Sequence, residues 1–264
     1  MGRFEWLEFD KDKREGLAKE QPDELRTGEK AGIEYYLIKA KKAFEIGDYD
    51  IAIRYYSQAL NLDNYNKEGW KGEILCLICL GQYDDVLTWV EHAKAFVSDT
   101  FFDAAKAFSL NRLGIHDEAL QINDIALSSP EADWFCWIVR GDILLDLDNL
   151  TNAEFCFFKA IEFCSDDWFP YMFIGVCLIA AKKYEKAIEY LLKSLRNKSD
   201  NPMVYLHLAY AYDKSKNISQ AIFYAKLALE YKPSLYEASL LLKKLQKKKI
   251  LYDYFPSIMK FLRI

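Results

Sequence analysis

Gly47-Asp48-Tyr49-Asp50-Ile51-Ala52-Ile53 is the stretch that decides the fold, because it returns. Looser copies read Gly81-Gln82-Tyr83-Asp84-Asp85-Val86-Leu87, Gly114-Ile115-His116-Asp117-Glu118-Ala119-Leu120 and Lys182-Lys183-Tyr184-Glu185-Lys186-Ala187-Ile188. The sixth position of the copy falls at residues 52, 86, 119, 153, 187 and 221, in steps of 34, 33, 34, 34 and 34. A constant period of this length marks a stack of like supersecondary units.

Small residues keep the same beat. Seven positions after each landmark stand Ala59, Ala93, Ala126, Ala160, Ser194 and Ala228. Twelve positions before stand Ala40, Ile74, Ala107, Gly141, Gly175 and Ala209. A lone helix has no use for small residues at these offsets, whereas two helices packed backbone to backbone do. Bulky residues between them, such as Tyr36, Trp70, Trp137, Tyr171 and Tyr205, then fill the wider gaps. The pattern predicts an all-α protein of paired helices.

These positions resemble the tetratricopeptide repeat, whose pattern is W-x2-L-G-x2-Y followed by A-x3-F, an alanine and a proline. The last unit matches it best, through Tyr205, Leu208, Ala209, Tyr212, Ala221, Ala228 and Pro233. Six units are read, at 33–66, 67–99, 100–133, 134–167, 168–201 and 202–235. Lys39, Val86, Asn123, Asn64 and Ser98 depart from the pattern, and the second and third units are the least regular. The resemblance implies a right-handed α-solenoid of helix-turn-helix units with a concave and a convex side, closed by a capping helix over Tyr236 to about Leu251. Residues 236–264 are read as that helix and an aromatic, apolar tail. Residues 1–32 are read as a charged flexible linker preceded by the cluster Phe4-Glu5-Trp6-Leu7-Glu8-Phe9. Phe4, Trp6 and Phe9 are expected to cap the first repeat, dock on a partner or plug the protein's own groove.

Composition narrows the function classes. With 52% hydrophobic and 28% charged residues the chain has ordinary globular composition. Its net charge of −5 supplies no basic field for nucleic acid. The run Lys247-Lys248-Lys249 is short, and no apolar run reaches membrane-spanning length, so a membrane is disfavoured. No apolar h-region lies between Met1 and Lys30, and the six cysteines sit in apolar runs; a reducing cytoplasm is the expected address.

No catalytic or metal-binding set assembles by spacing. His92, His116 and His207 occupy unrelated repeat positions, and the Cys76-Cys79 pair lies in an apolar helix without a second such pair. There is no glycine-rich phosphate loop and no nucleophile elbow. The expectation is a non-enzyme without cofactor or metal.

In the family that the chain resembles, first helices line the concave surface. The matching residues include Leu75 and Ile78 in the second unit and Phe101 and Phe108 in the third. The fourth supplies Phe135, Ile138, Asp142, Leu145 and Asp146, and the fifth Phe169, Met172, Val176 and Ile179. Met203, Leu206, Tyr210 and Asp213 come from the sixth. Such a surface would hold an apolar or amphipathic segment of a protein partner, with the aspartates meeting basic residues on it. The lysine and asparagine clamp by which some family members grip a terminal carboxylate is not assembled, since Leu37, Lys41, Lys71 and Leu75 stand at its positions. Two alternatives stay open: a superhelix tight enough to bury these side chains itself, leaving function to its outer face or tail, and a sensor holding a small molecule by Phe101, Phe108 and Phe135. Self-association is compatible with all three.

Overall fold

The computed structural model describes residues 32–198 and 200–261, and within them the chain forms thirteen α-helices and no strand. They run in pairs: α1 Ile33–Glu45 and α2 Tyr49–Leu62, α3 Lys67–Cys79 and α4 Tyr83–Lys94, α5 Thr100–Arg112 and α6 His116–Ser128. The second half continues with α7 Trp134–Asp146 and α8 Leu150–Glu162, α9 Trp168–Ala180 and α10 Tyr184–Asn197, α11 Pro202–Lys214 and α12 Ile218–Tyr231. A final helix, α13 Tyr236–Phe261, follows alone.

Two further ladders set the helix ends. Asn66, Asp99, Asp133, Asp167 and Asn201 cap α3, α5, α7, α9 and α11, each side chain accepting from a backbone N–H of the first turn. Each such cap satisfies donors that the helix itself leaves open, at about 1 kcal/mol apiece. Between the helices of each pair one residue takes a left-handed conformation: Gly47, Gly81, Gly114, Asp148, Lys182 and Lys216. In the first pair the turn closes by Gly47 N–H donating to Phe44 O and Asp48 N–H to Ala43 O, at 3.0 and 2.9 Å. Glycine enters this conformation without the steric cost that Asp148, Lys182 and Lys216 carry.

Close packing explains the small residues. Ala52, Val86, Ala119, Ala153, Ala187 and Ala221 are fully buried where each second helix crosses its first. A Cβ at Gly141 would run into the Phe157 ring, with Cδ1 only 2.7 Å away, and one at Gly175 would lie 2.7 Å from Leu191 Cγ. First helices also pack on the first helices of the next pair, α1 on α3 through to α11 on α13, so they form the inner layer of the stack. The helix α13 covers the last pair by burying Ala238, Leu241 and Leu245.

The stack curves until its beginning meets its end. The Phe44 ring of α1 lies 5.0 Å from the Phe169 ring of α9. Lys198 pairs with Glu45 at 2.7 Å, and Asn201 Nδ2 donates to Glu45 O at 2.9 Å. Lys232 pairs with Asp48 at 2.6 Å and donates to Ile46 O at 3.2 Å. The first repeat therefore seals against the fifth and sixth.

Candidate functional site

That closure decides what the inner layer does. Phe101 and Phe135 stack at 4.9 Å, and Phe173 stands 5.3 Å from Phe108, 5.6 Å from Phe135 and 5.8 Å from Phe169. Every ring of this cluster is buried, Phe135 completely. Ile78, Ile138, Leu145 and Met172 are buried with them, whereas Leu75, Val176, Ile179, Met203 and Leu206 are half-buried and Tyr210 is 42% exposed. The buried members of the expected groove lining are thus packed around one another, while the half-buried ones and the exposed Asp146 and Tyr210 keep surface on the inner side. Phe4, Trp6 and Phe9 lie outside the described residues.

Of the three aspartates read as contacts for a ligand's basic residues, Asp142 and Asp213 meet cations of the chain itself, whereas Asp146 is exposed. Asp142 is buried, pairs with Arg112 and accepts from Asn111 Nδ2 at 3.0 Å. The same Asn111 amide donates to Asp146 at 2.7 Å, while its oxygen lies 2.7 Å from His116 Nδ1. Burial pushes the Asp142 carboxyl up, and Arg112 and Asn111 pull it back. Burial also works against the charge of Arg112, but Asp142, Cys177, Tyr83 and Asp146 together more than offset it and the guanidinium pKa rises. Asp213, buried as well, pairs with Lys248 of α13 at 2.7 Å. Arg112 and Phe173 were missed as members of this interior. Arg112 lies one unit before the aspartate it neutralises, a distance that no local spacing rule spans.

A concavity of about 310 Å3 opens on the inner side of the stack, with the exposed Leu80, Gly81 and Ala180 at its rim. Ile78, Phe108, Met172 and Val176 line it with the polar edges of Tyr49, Tyr83, Arg112 and His207. Burial pushes the His207 pKa down to about 4, so the imidazole is neutral there at pH 7. Burial likewise pushes the Cys79 thiol up to about 12, which leaves it protonated rather than a thiolate ligand or nucleophile. Among the described residues no group of three or more His, Cys, Asp or Glu side chains is placed to hold a metal ion, and no helix is long and apolar enough to cross a membrane.

A second concavity, of about 370 Å3, opens on the outside between α8 and α10. Phe158 and Ile161 form one wall, Tyr190, Lys193 and Arg196 the other, and Tyr171 lies between.

The tetratricopeptide repeat model matches the chain at residues 33–66, 170–201 and 204–235. With the paired helices this makes it a tetratricopeptide-repeat protein. Solved structures of similar fold include Cut9–Hcn1, a hetero-tetramer of the APC/C, at a TM-score of 0.52 and 18% identity. That match covers 81% of this chain and 43% of the other, so the chain spans less than half of that relative's length. YrrB, a TPR protein with an unusual peptide-binding site, is 14% identical with a TM-score of 0.43, over 71% of this chain and 97% of that one. The TPR domain of P58(IPK) is 18% identical with a TM-score of 0.41, over 88% and 69%. No curated protein matches the chain.

Proposed function

We propose that this chain is a non-catalytic protein-interaction scaffold that holds its partners on the outside of a self-filled solenoid. The supporting observation is the burial of Phe101, Phe135, Ile138 and Met172 against one another inside a turn whose ends are sealed. A partner segment entering there would have to displace aromatic packing that stabilises the fold, whereas the outer face carries Phe155, Phe158 and Phe163, each more than half exposed. Exposed apolar groups gathered on one face mark docking surfaces in soluble proteins.

The test is affinity purification with quantitative mass spectrometry from native cells, comparing wild type with an inner-face variant, Tyr210→Glu/Asp146→Lys, and an outer-face variant, Phe155→Ser/Phe158→Ser. Loss of the same partners from the outer-face variant alone supports the reading. Loss from the inner-face variant alone moves binding back to the concave side.

The inner concavity supports one further reading, a small apolar ligand seated against Phe108 and Met172. It predicts a melting temperature that rises with ligand concentration and saturates in slope as RT ln(1 + [L]/Kd) requires, and a library screen without such a hit disposes of it.

A further inference from the structure

Because the repeats are copies, each serves as a control for the others. Two positions after the landmark small residue, units one, two, three and five carry Arg54, Thr88, Gln121 and Glu189, while unit four carries Phe155. Five positions after it, units two, three and six carry Glu91, Asp124 and Lys226, while unit four carries Phe158. Unit six has Phe223 at the first of these positions, but unit four alone among the six is aromatic at both. Phe155 and Phe158 are 55% and 58% exposed, and Phe163 at the end of the same helix is 58% exposed. Helix packing within the unit is served by Ala153, Phe157 and Ala160, all fully buried, so the outer phenylalanines add nothing to it.

Beside this face lies the outer groove, and it is built rigidly. Its floor is a ring contact, Tyr190 standing 6.1 Å from Phe157 and 6.5 Å from Tyr171. One end is pinned by Asn197 Nδ2 donating to Ser165 O at 3.0 Å and by Ser194 Oγ donating to Trp168 O at 2.8 Å. A volume of about 370 Å3 admits one large side chain with its neighbouring backbone.

The charges at its rim are one-sided. No carboxylate lines the groove, and its cations are Lys193 and Arg196. Neighbouring lysines are neutralised, Lys159 by Glu162 at 2.8 Å and Lys186 by Glu154 at 2.7 Å. Among the described residues Lys193 and Arg196 have no such partner, and Lys193 rests over the Tyr190 ring at 4.9 Å. In a chain of net charge −5, two lining cations without an ion-pair partner beside exposed aromatics stand out, even with Glu154 and Glu189 near enough to act on Tyr190.

We propose that the outer groove between the fourth and fifth repeats docks a segment of a partner protein that carries a large apolar side chain flanked by carboxylates. The apolar side chain enters between Phe158 and Tyr190, and the carboxylates meet Lys193 and Arg196. This inference rests on the scaffold reading and assigns its face and partner chemistry.

The experiment is selection of random twelve-residue peptides displayed on phage against the full chain, followed by affinity measurement of the selected peptides by fluorescence anisotropy. Selected sequences are expected to place Asp or Glu beside Phe, Trp or Leu. Their affinity is expected to fall about tenfold or more in Lys193→Glu/Arg196→Glu and in Phe158→Ser. These surface substitutions leave the melting curve in place, and Lys193→Arg retains binding.

Peptides of other composition, or acidic peptides indifferent to these substitutions, overturn the proposal. Absence of any selected peptide while native partners still co-purify overturns the groove and spares the scaffold reading; absence of both sinks the two together. A concentration-dependent dimer abolished by Phe158→Ser hands the groove to a second copy. Tighter peptide binding in full-length Trp6→Ser hands it to the chain's own N-terminal segment. Either result overturns a partner as the occupant.

Discussion

Replacing Gly141 by alanine sets two opposed effects against each other, and the structure decides between them. In the middle of a helix alanine is favoured over glycine by about 1 kcal/mol, because it restricts the unfolded backbone. At this site, however, the added methyl overlaps the Phe157 ring, with Cδ1 at 2.7 Å and Cζ at 2.9 Å. Phe157 is completely buried and its ring packs on Tyr190 at 6.1 Å, so it has nowhere to retreat. Overpacking of a closed core costs about 1–3 kcal/mol, and an overlap this deep belongs at the upper end. The net expectation is destabilisation by about 2 kcal/mol, or a melting temperature lowered by about 4–8 °C for a domain of this size. Circular dichroism at 222 nm against temperature reads it. The double variant Gly141→Ala/Phe157→Leu separates the cause, since the smaller side chain makes room for the methyl. In that background Gly141→Ala is expected to cost little or to stabilise, giving a coupling of about 1 kcal/mol or more. A melting temperature raised by Gly141→Ala alone, or strictly additive effects in the pair, would refute close helix approach as the reason for the small-residue ladder.

Other sites give shorter expectations. Lys216 holds a φ of 67°, so Lys216→Gly relieves left-handed strain and raises the denaturation midpoint by about 0.5–1 kcal/mol in ΔG with the urea m-value unchanged. Asn201→Ala removes the double cap of α11 and the bond to Glu45 O; a loss of about 2 kcal/mol is expected, together with faster amide exchange in α1, the helix it tethers. His207 has its pKa lowered to about 4 from an ordinary 6.5, so the unfolded chain takes up the proton first. Stability from this residue is complete above pH 6.5 and is lost as pH falls toward 4, by about 3 kcal/mol, and His207→Gln should flatten that part of the urea-midpoint profile.

Legibility follows the range of the physics involved. The ladder from Ala52 to Ala221 was readable because a helix pair imposes its packing distance within one repeat, and all six residues are fully buried. The caps from Asn66 to Asn201 obey equally local rules; their period could have been read beside the first, with the Asx residue just ahead of each first helix as the signal. Curvature has no such signature. The contact of Phe44 with Phe169 arises from small rotations accumulated over four repeat junctions, and no single repeat records the sum. The groove positions were borrowed from a resemblance that assumes an open inner face. Phe173, which lies outside those positions, became the hub of the aromatic cluster, and Arg112 became the counter-charge of Asp142.

Closure also changes the kind of object this repeat array is. In an open solenoid each unit touches only its neighbours, and stability is a sum of nearest-neighbour terms. Here Glu45, Ile46 and Asp48 of the first repeat bond to Lys198, Asn201 and Lys232, more than 150 positions away. Fraying of the first repeat must therefore expose Phe44 and Phe169 and break two ion pairs at once, which couples the two ends of the array. Contacts that tie the ends together oppose the spring-like opening available to an unclosed array. The closed array presents outer surfaces at fixed mutual positions, the aromatic face of the fourth repeat among them. Rigidity of that sort lowers the ordering cost of docking and favours one partner geometry over many. On the proposed reading, in which partners dock on the convex side, that rigidity acts as specificity and not as adaptability.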